Sequence, residues 1–235
     1  MGGHVVAIGG GKFWDDGSED PRLDAFILAL AQRERPRVCF IATASGDAEG
    51  YRYRYMRAMA RHDCVATDLP LFARMVGDLP GFVAEQDVFW VGGGSTANLL
   101  AVWRTRGLDV LLREAHERGA VLAGISAGMN CWFECSTTDS FGLGLAPLRD
   151  GLGILPGSAC PHYDGEPQRR PLYRALVDDG FPAGYAVDDG AALHFACGEI
   201  VEAVALRDGA AAYRVERGAE TRIEARILEP APHAK

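Results

Sequence analysis

Short, almost unbroken apolar runs alternate with segments of helical periodicity over the first half of the chain. The runs are His4 to Ile8, Arg37 to Thr43, Cys64 to Leu69, Asp87 to Val91 and Ala120 to Ile125. Between them, Leu23 to Arg33 places Leu23, Phe26, Ile27 and Leu30 on one helical face, and Tyr51 to Arg61 and Leu108 to Arg118 also read as helices. Runs apolar at every position, not every second one, belong to strands buried on both faces. Strands of that kind alternating with helices predict a mostly parallel sheet in an α/β three-layer sandwich. After residue 183 the texture changes. Gly184 to Asp188, Ala191 to Cys197, Ile200 to Leu206, Ala211 to Val215 and Arg222 to Leu228 follow one another across Asp-Gly, Cys-Gly-Glu and Arg-Gly turns, which predicts that the sheet ends in antiparallel strands. No linker interrupts the pattern, so residues 1–235 are expected to form a single catalytic domain.

Composition narrows the classes. The chain has 235 residues, 48% of them hydrophobic, and carries 24 basic and 32 acidic side chains for a net charge of −8. That balance argues against nucleic acid as the main partner. No apolar run approaches the length of a membrane span, and the N-terminus shows neither the basic nor the apolar region of a signal peptide, so a cytoplasmic location is expected. The six cysteines (39, 64, 131, 135, 160, 197) form no CxxC pair and read as free thiols in a reducing compartment. Cys131 and Cys135 lie one helical turn apart without further ligands, so no metal site and no cofactor are expected.

Two glycine runs end strands. Gly9-Gly10-Gly11-Lys12-Phe13 lacks the Ser or Thr of a phosphate-binding loop, and Gly92-Gly93-Gly94 meets Ala97 where a dinucleotide loop needs its last glycine. Both therefore read as tight strand-to-helix turns, whose exposed amides can hold an oxyanion rather than a nucleotide.

The sharpest chemical signal is Gly124-Ile125-Ser126-Ala127-Gly128 behind an apolar strand and ahead of Met-Asn-Cys-Trp-Phe-Glu, which reads as helical. In a G-x-S-x-G elbow, small neighbours let the chain turn sharply and project the serine hydroxyl above the sheet. The next amide, that of Ala127, then faces the developing charge. A serine nucleophile needs a base and an orienting acid. His4, His62, His116 and His233 occupy strand starts, helix surfaces and the tail. His194 lies within an apolar strand, and His162 follows the short run Gly153 to Pro156, so His162 is the expected base. Ser126, Asp139 and His162 follow the chain order of α/β-hydrolases, but intervals of 13 and 23 residues leave no room for that fold's intervening strand–helix units. Asp139, in the polar segment Ser-Thr-Thr-Asp-Ser, is preferred as the acid over Glu134, which would lie two turns along the elbow helix.

These residues resemble the dipeptidase E family of serine peptidases, the aspartyl dipeptidases. The resemblance rests on Trp90-Val-Gly-Gly-Gly-Ser-Thr96, Gly124-Ile-Ser-Ala-Gly-Met-Asn130, Ser136-Thr-Thr-Asp-Ser-Phe141 and Leu155-Pro-Gly-Ser-Ala-Cys-Pro-His-Tyr-Asp164, with weaker likeness through Gly184-Tyr-Ala-Val-Asp-Asp-Gly190. It implies a class-I glutamine-amidotransferase-like fold and hydrolysis of short peptides with an N-terminal aspartate. It implies Ser126 as nucleophile, His162 as base, Asp139 as acid, and the amides of Gly94 and Ala127 as oxyanion donors. For such a substrate, Arg169 or Arg170 is expected to take the aspartyl carboxylate and Glu166 the ammonium; a solvated helix start is the bland alternative for all three. A cyanophycinase-like hydrolase of aspartyl-arginine peptides and a non-catalytic binding protein on the same scaffold remain alternatives, and a homodimer stays open.

Overall fold

A computed structural model describes residues 3–11, 14, 20–72 and 77–230. Lys12 and Phe13 of the first glycine run, the extreme N-terminus and His233 lie outside the described residues. The strands are β1 (His4–Ile8), β2 (Arg37–Ile41), β3 (Val65–Asp68), β4 (Val88–Val91), β5 (Val121–Ile125), β6 (Phe133–Thr138), β7 (Ala146–Leu148), β8 (Leu155–Cys160), β9 (Gly184–Val187), β10 (Ala191–Ala196), β11 (Glu199–Ala205), β12 (Ala212–Glu216), β13 (Ala219–Ile223) and β14 (Ala225–Ile227). The helices are α1 (Arg22–Leu30), α2 (Glu49–Met59), α3 (Leu79–Ala84), α4 (Thr96–Arg106), α5 (Leu108–Glu117), α6 (Ala127–Asn130) and α7 (Arg169–Asp178).

The large sheet runs β14-β11-β10-β1-β5-β4-β2-β3. Its β1, β5, β4, β2 and β3 are mutually parallel, and β10 pairs antiparallel with both β1 and β11. The unbroken apolar runs are explained by the two clusters they feed. Val5, Cys39, Phe89 and Leu122 point to one face, beneath α3, α4 and α5, while Val6, Phe40, Trp90 and Ala123 point to the other, beneath α1 and α2. The fold is thus α/β with helices on both faces of a mostly parallel sheet.

The C-terminal half departs from the expected single sheet. A second sheet, ordered β13-β12-β9-β8-β6-β7, packs its Phe133, Leu155, Ala159 and Val187 into the core shared with the large sheet. Its far side is covered by α7 through Tyr173 and Val177, packed on Cys160 and Val215. The segment expected as one strand from Arg222 to Leu228 is therefore cut at Glu224: β13 closes the small sheet, and β14 lies parallel to β11 in the large one. The elbow helix is also shorter than its sequence suggests. It ends at Asn130, and Trp132 and Phe133 turn into the core, so Glu134 sits on a strand. All six cysteines are free, with Cys39, Cys131, Cys135 and Cys160 buried. Among the described residues no helix is long and apolar enough to cross a membrane.

Candidate active site

The C-terminal ends of β1, β4 and β5 converge on one edge of the large sheet, where open α/β sheets place their ligands. Ser126 sits between β5 and α6 at φ 56°, ψ −109°, a left-handed conformation that costs a non-glycine residue about 1–3 kcal/mol. Flanking glycines make the turn possible. A Cβ on Gly124 would collide with the carbonyl of Gly128, and one on Gly128 with the carbonyl of Val91. The Ser126 amide donates to the Ile8 carbonyl at 3.1 Å and its carbonyl accepts from Asn130 at 2.9 Å, which ties the strained residue to β1 and α6.

His162 follows β8, two residues beyond its end, and also has a positive φ, 53°. Its backbone amide donates to the Gly9 carbonyl. Its ring bridges two partners: Nε2 lies 2.9 Å from Ser126 Oγ, and Nδ1 lies 2.7 Å from Asp189 Oδ1. The acid on His162 is thus Asp189, just past β9, and not Asp139. Gly10 makes this junction possible, because a Cβ there would overlap both the His162 ring and the Asp189 carboxylate. Gly165 is bare for the same reason on the other carboxylate oxygen. The hydrogen bond from His162 holds the Asp189 carboxyl below its ordinary range against the opposing effect of burial. The charges of His162, Arg207 and Arg169 act in the same direction.

A cleft of about 420 Å³ opens in front of Ser126 and His162, walled by Gly94, Ser95 and Asn98 on one side and by Asp139, Ser140, Glu166 and Arg169 on the other. Gly94 has φ 135°, and a Cβ there would strike the Ala44 carbonyl. The loop that carries it is held by Ser95 N–H donating to Ala44 O at 2.8 Å and by Gly93 N–H donating to the Tyr51 hydroxyl at 3.4 Å. Behind the cleft, buried Asn130 donates to Thr96 and to the Thr137 carbonyl, and Thr138 and Ser140 share a 2.7 Å hydrogen bond.

Asp139 is exposed on the cleft wall, its backbone carbonyl accepting from Gly142 N–H. Glu134 accepts from the Gly157 amide at 2.8 Å, a link between β6 and β8 well away from the histidine ring. Of the two arginines, Arg169 is buried and faces the cleft, with Nε and Nη2 held by Glu166 at 2.8 and 3.2 Å and Nη1 by the Thr137 carbonyl. Arg170 turns the other way. It pairs with Glu220 and lies over the rings of Tyr163 and Tyr213, where it fastens α7 to β13. His194 faces away from the site, against His4 at 2.9 Å.

The missed residue, Asp189, did carry a signal: an apolar strand ending in Asp188-Asp189-Gly190 sets a carboxylate at a strand's C-terminal end. Asp188 beside it is not interchangeable, since it is turned inward to accept from the Ala211 amide and the Tyr213 hydroxyl, and burial raises its pKa. A hydroxyl, an imidazole and a carboxylate in one hydrogen-bonded line, at the mouth of a cleft with a buried guanidinium, form an arrangement able to attack and hydrolyse an acyl group.

Comparison with known proteins points to peptidases. The profile of peptidase family S51 matches residues 5–203. The uncharacterized peptidase YgaJ of Bacillus subtilis (strain 168) is 50% identical over 212 residues, 90% of this chain and 91% of that protein. A Peptidase E of Shewanella denitrificans is 29% identical over 120 residues, 47% of this chain and 51% of that protein, so the chain spans about half of that relative's length. Two solved structures share the fold. One is a peptidase from an acI-B1 Actinobacterium (TM-score 0.70, 19% identity, covering 96% of this chain and 95% of that one). The other is a putative peptidase E from Listeria monocytogenes EGD-e (TM-score 0.65, 18% identity, covering 88% and 100%).

Proposed function

Because the chain belongs to peptidase family S51, we propose that this peptidase is a serine exopeptidase that releases N-terminal aspartate from short peptides through an acyl-enzyme on Ser126. The observation that carries the reading is the unbroken line Ser126 Oγ–His162 Nε2 and His162 Nδ1–Asp189 Oδ1 at 2.9 and 2.7 Å. In the acylation step, Oγ attacks the scissile carbonyl carbon while Nε2 takes its proton. The C–N bond then breaks, and the proton passes to the departing amine. Water repeats the sequence on the ester and restores the free serine. Asp189 keeps the proton of the resting imidazole on Nδ1 and stabilises the imidazolium. The amides of Gly94 and Ala127 are the donors for the tetrahedral oxygen, each worth about 3–4 kcal/mol in comparable sites.

The aspartyl part of the reading rests on Arg169. Of its five N–H groups, three are held by Glu166 and Thr137, which leaves one on each terminal nitrogen. A substrate carboxylate accepting from both would make a planar two-bond contact. Glu166 is engaged with Arg169, so the substrate ammonium is assigned instead to Asp139, the other carboxylate of the cleft wall. A screen of Asp-Leu, Asn-Leu and Leu-Leu tests both layers. Hydrolysis of Asp-Leu well ahead of the other two, and lost in Ser126→Ala, is expected. Equal rates on all three overturn the aspartyl assignment, and activity retained by Ser126→Ala overturns the serine mechanism.

A further inference from the structure

The loop that carries His162 also carries a second carboxylate, two residues further on. Asp164 Oδ1 accepts from the backbone amide of Asp189 at 2.8 Å. Arg207, just beyond β11, donates from Nε to the Asp189 carbonyl at 3.0 Å and from Nη2 to Asp164 Oδ2. The Arg207 stem lies over Gly190, whose φ of 79° admits a residue without a Cβ in that place. Gly190 in turn donates to the Gly10 carbonyl and accepts from Leu206 N–H, both at 2.8 Å. The base and the acid of the triad are therefore joined twice, once by His162 and Asp189 directly and once around a ring through Asp164 and Arg207.

We propose that Asp164 and Arg207 form a clamp that positions Asp189 against His162, so that the acid is set by an ion pair on the enzyme's surface. The inference rests on the triad reading given above. Neither residue touches substrate; both are positioning residues. Three points support a role beyond local folding. The clamp grips the backbone of Asp189 on both sides, at N–H and C=O, which fixes where its side chain starts. Its carboxylate comes from the histidine's own loop, so a shift of that loop moves base and acid together. Among the described residues its guanidinium is one of the two arginine side chains acting on Asp189, the other being Arg169 across the cleft; the remaining charged groups facing Asp189 among those residues are His162 and Asp164. Both clamp residues are about half exposed, with side chains 49% and 37% accessible, so the pair is open to salt.

A fluorophosphonate tests this without depending on the natural substrate. Ser126 Oγ forms a bond to phosphorus, fluoride leaves, and His162 accepts the serine proton, so the labelling rate reports how well the base is set. Arg207→Ala and Asp164→Ala are each expected to slow labelling about tenfold at unchanged thermal midpoint, and the double variant to slow it little further, because the two act as one unit. Arg207→Lys is expected to recover only part of the rate, since a flexible ammonium lacks the planar fork that reaches both partners from separate nitrogens. The acid limb of the rate–pH profile, a property of the His162–Asp189 pair jointly, should move to higher pH in Arg207→Ala, where a cation favouring deprotonation is gone. Raising salt should slow the wild type and leave Arg207→Ala unaffected. Wild-type rates and pH profile in both single variants overturn the clamp alone. A wild type that fails to label at Ser126 overturns the triad reading, and the clamp with it.

Discussion

Replacing Asp189 with asparagine removes one negative charge and keeps the shape of the side chain. The structure sets the size of the effect. Nδ1 and Oδ1 lie 2.7 Å apart, with side chains 22% and 33% accessible. Charge centres about 4 Å apart at an effective dielectric near 20 interact by about 4 kcal/mol. That attraction is present only once His162 is protonated, in the transition state, so its loss alone lowers kcat by roughly 10³. The asparagine has little room to swing clear, because Gly10 and Gly165 pass so close to the two carboxylate oxygens that a Cβ on either would overlap them. An amide NH₂ turned toward Nδ1 selects the wrong imidazole tautomer, which takes the loss toward about 10⁴. The assay is steady-state release of p-nitroaniline from aspartyl p-nitroanilide, with fluorophosphonate labelling in parallel. Asp139→Asn is the comparison: as the ammonium partner it should raise KM and leave kcat within a few-fold. An Asp189→Asn enzyme within tenfold of wild type, beside a dead Asp139→Asn, would refute the assignment of the acid.

Three further outcomes follow from the packing. Ser126→Gly should abolish activity yet raise the thermal midpoint by roughly 2–4 °C, since relief of the strained φ is worth about 1 kcal/mol net; a lower midpoint would mean that the turn is not strained. Arg169→Ala should lose hydrolysis of Asp-Leu far more than of Leu-Leu, Arg169→Lys should rescue it poorly, and Arg170→Ala should leave both near wild type; equal effects of the two arginines count against the carboxylate fork. Asp24 is 2% exposed beneath Trp14, whose indole N–H donates to it at 2.9 Å, and burial pushes its pKa up to about 7. The folded state therefore holds this proton more tightly than the unfolded chain, and the resulting stability is lost as pH rises from about 4 through 7. Urea titrations of Asp24→Asn across that range should show a flatter dependence and a gain at pH 8; parallel curves for the two proteins would exclude Asp24 as the source.

The parts of this protein that could be read from its sequence are those fixed by neighbours along the chain. Buried parallel strands announce themselves because Val5 through Ile8 and Val88 through Val91 need apolar groups on both faces. The serine elbow is local too, since Gly124, Ser126 and Gly128 answer to one turn. The acid was not local. Asp189 reaches His162 through a bridge between Gly10 and Asp189 that joins the end of the first strand to the end of the ninth, and no spacing encodes that meeting. Asp139 misled because a polar Ser-Thr-Thr-Asp-Ser segment can pose a loop carboxylate, whereas the hydroxyls flanking it, those of Thr138 and Ser140, are spent on Thr96, Ala97 and one another. Glu134, the disfavoured alternative, lies away from the ring for a reason other than helical counting: the elbow helix stops where Trp132 and Phe133 find the core, and Glu134 sits on β6, tied to the Gly157 amide.

The pairing of β1 with both β5 and β10 has a temporal meaning. His4 sits opposite Ala196, so the central strand of the large sheet lacks one of its neighbours until β10 has been made. Ser126 exists by then, but the carboxylate of Asp189 is seated by Gly10 and the start of β10, and its clamp waits for Arg207. On the proposed triad, a nascent chain thus carries Ser126 before its base and acid are joined. Closing so distant a contact is also slow, as folds dominated by long-range pairing are. On the proposed mechanism, hydrolytic power arrives late, once β10 has paired with β1 and Arg207 has closed on Asp164.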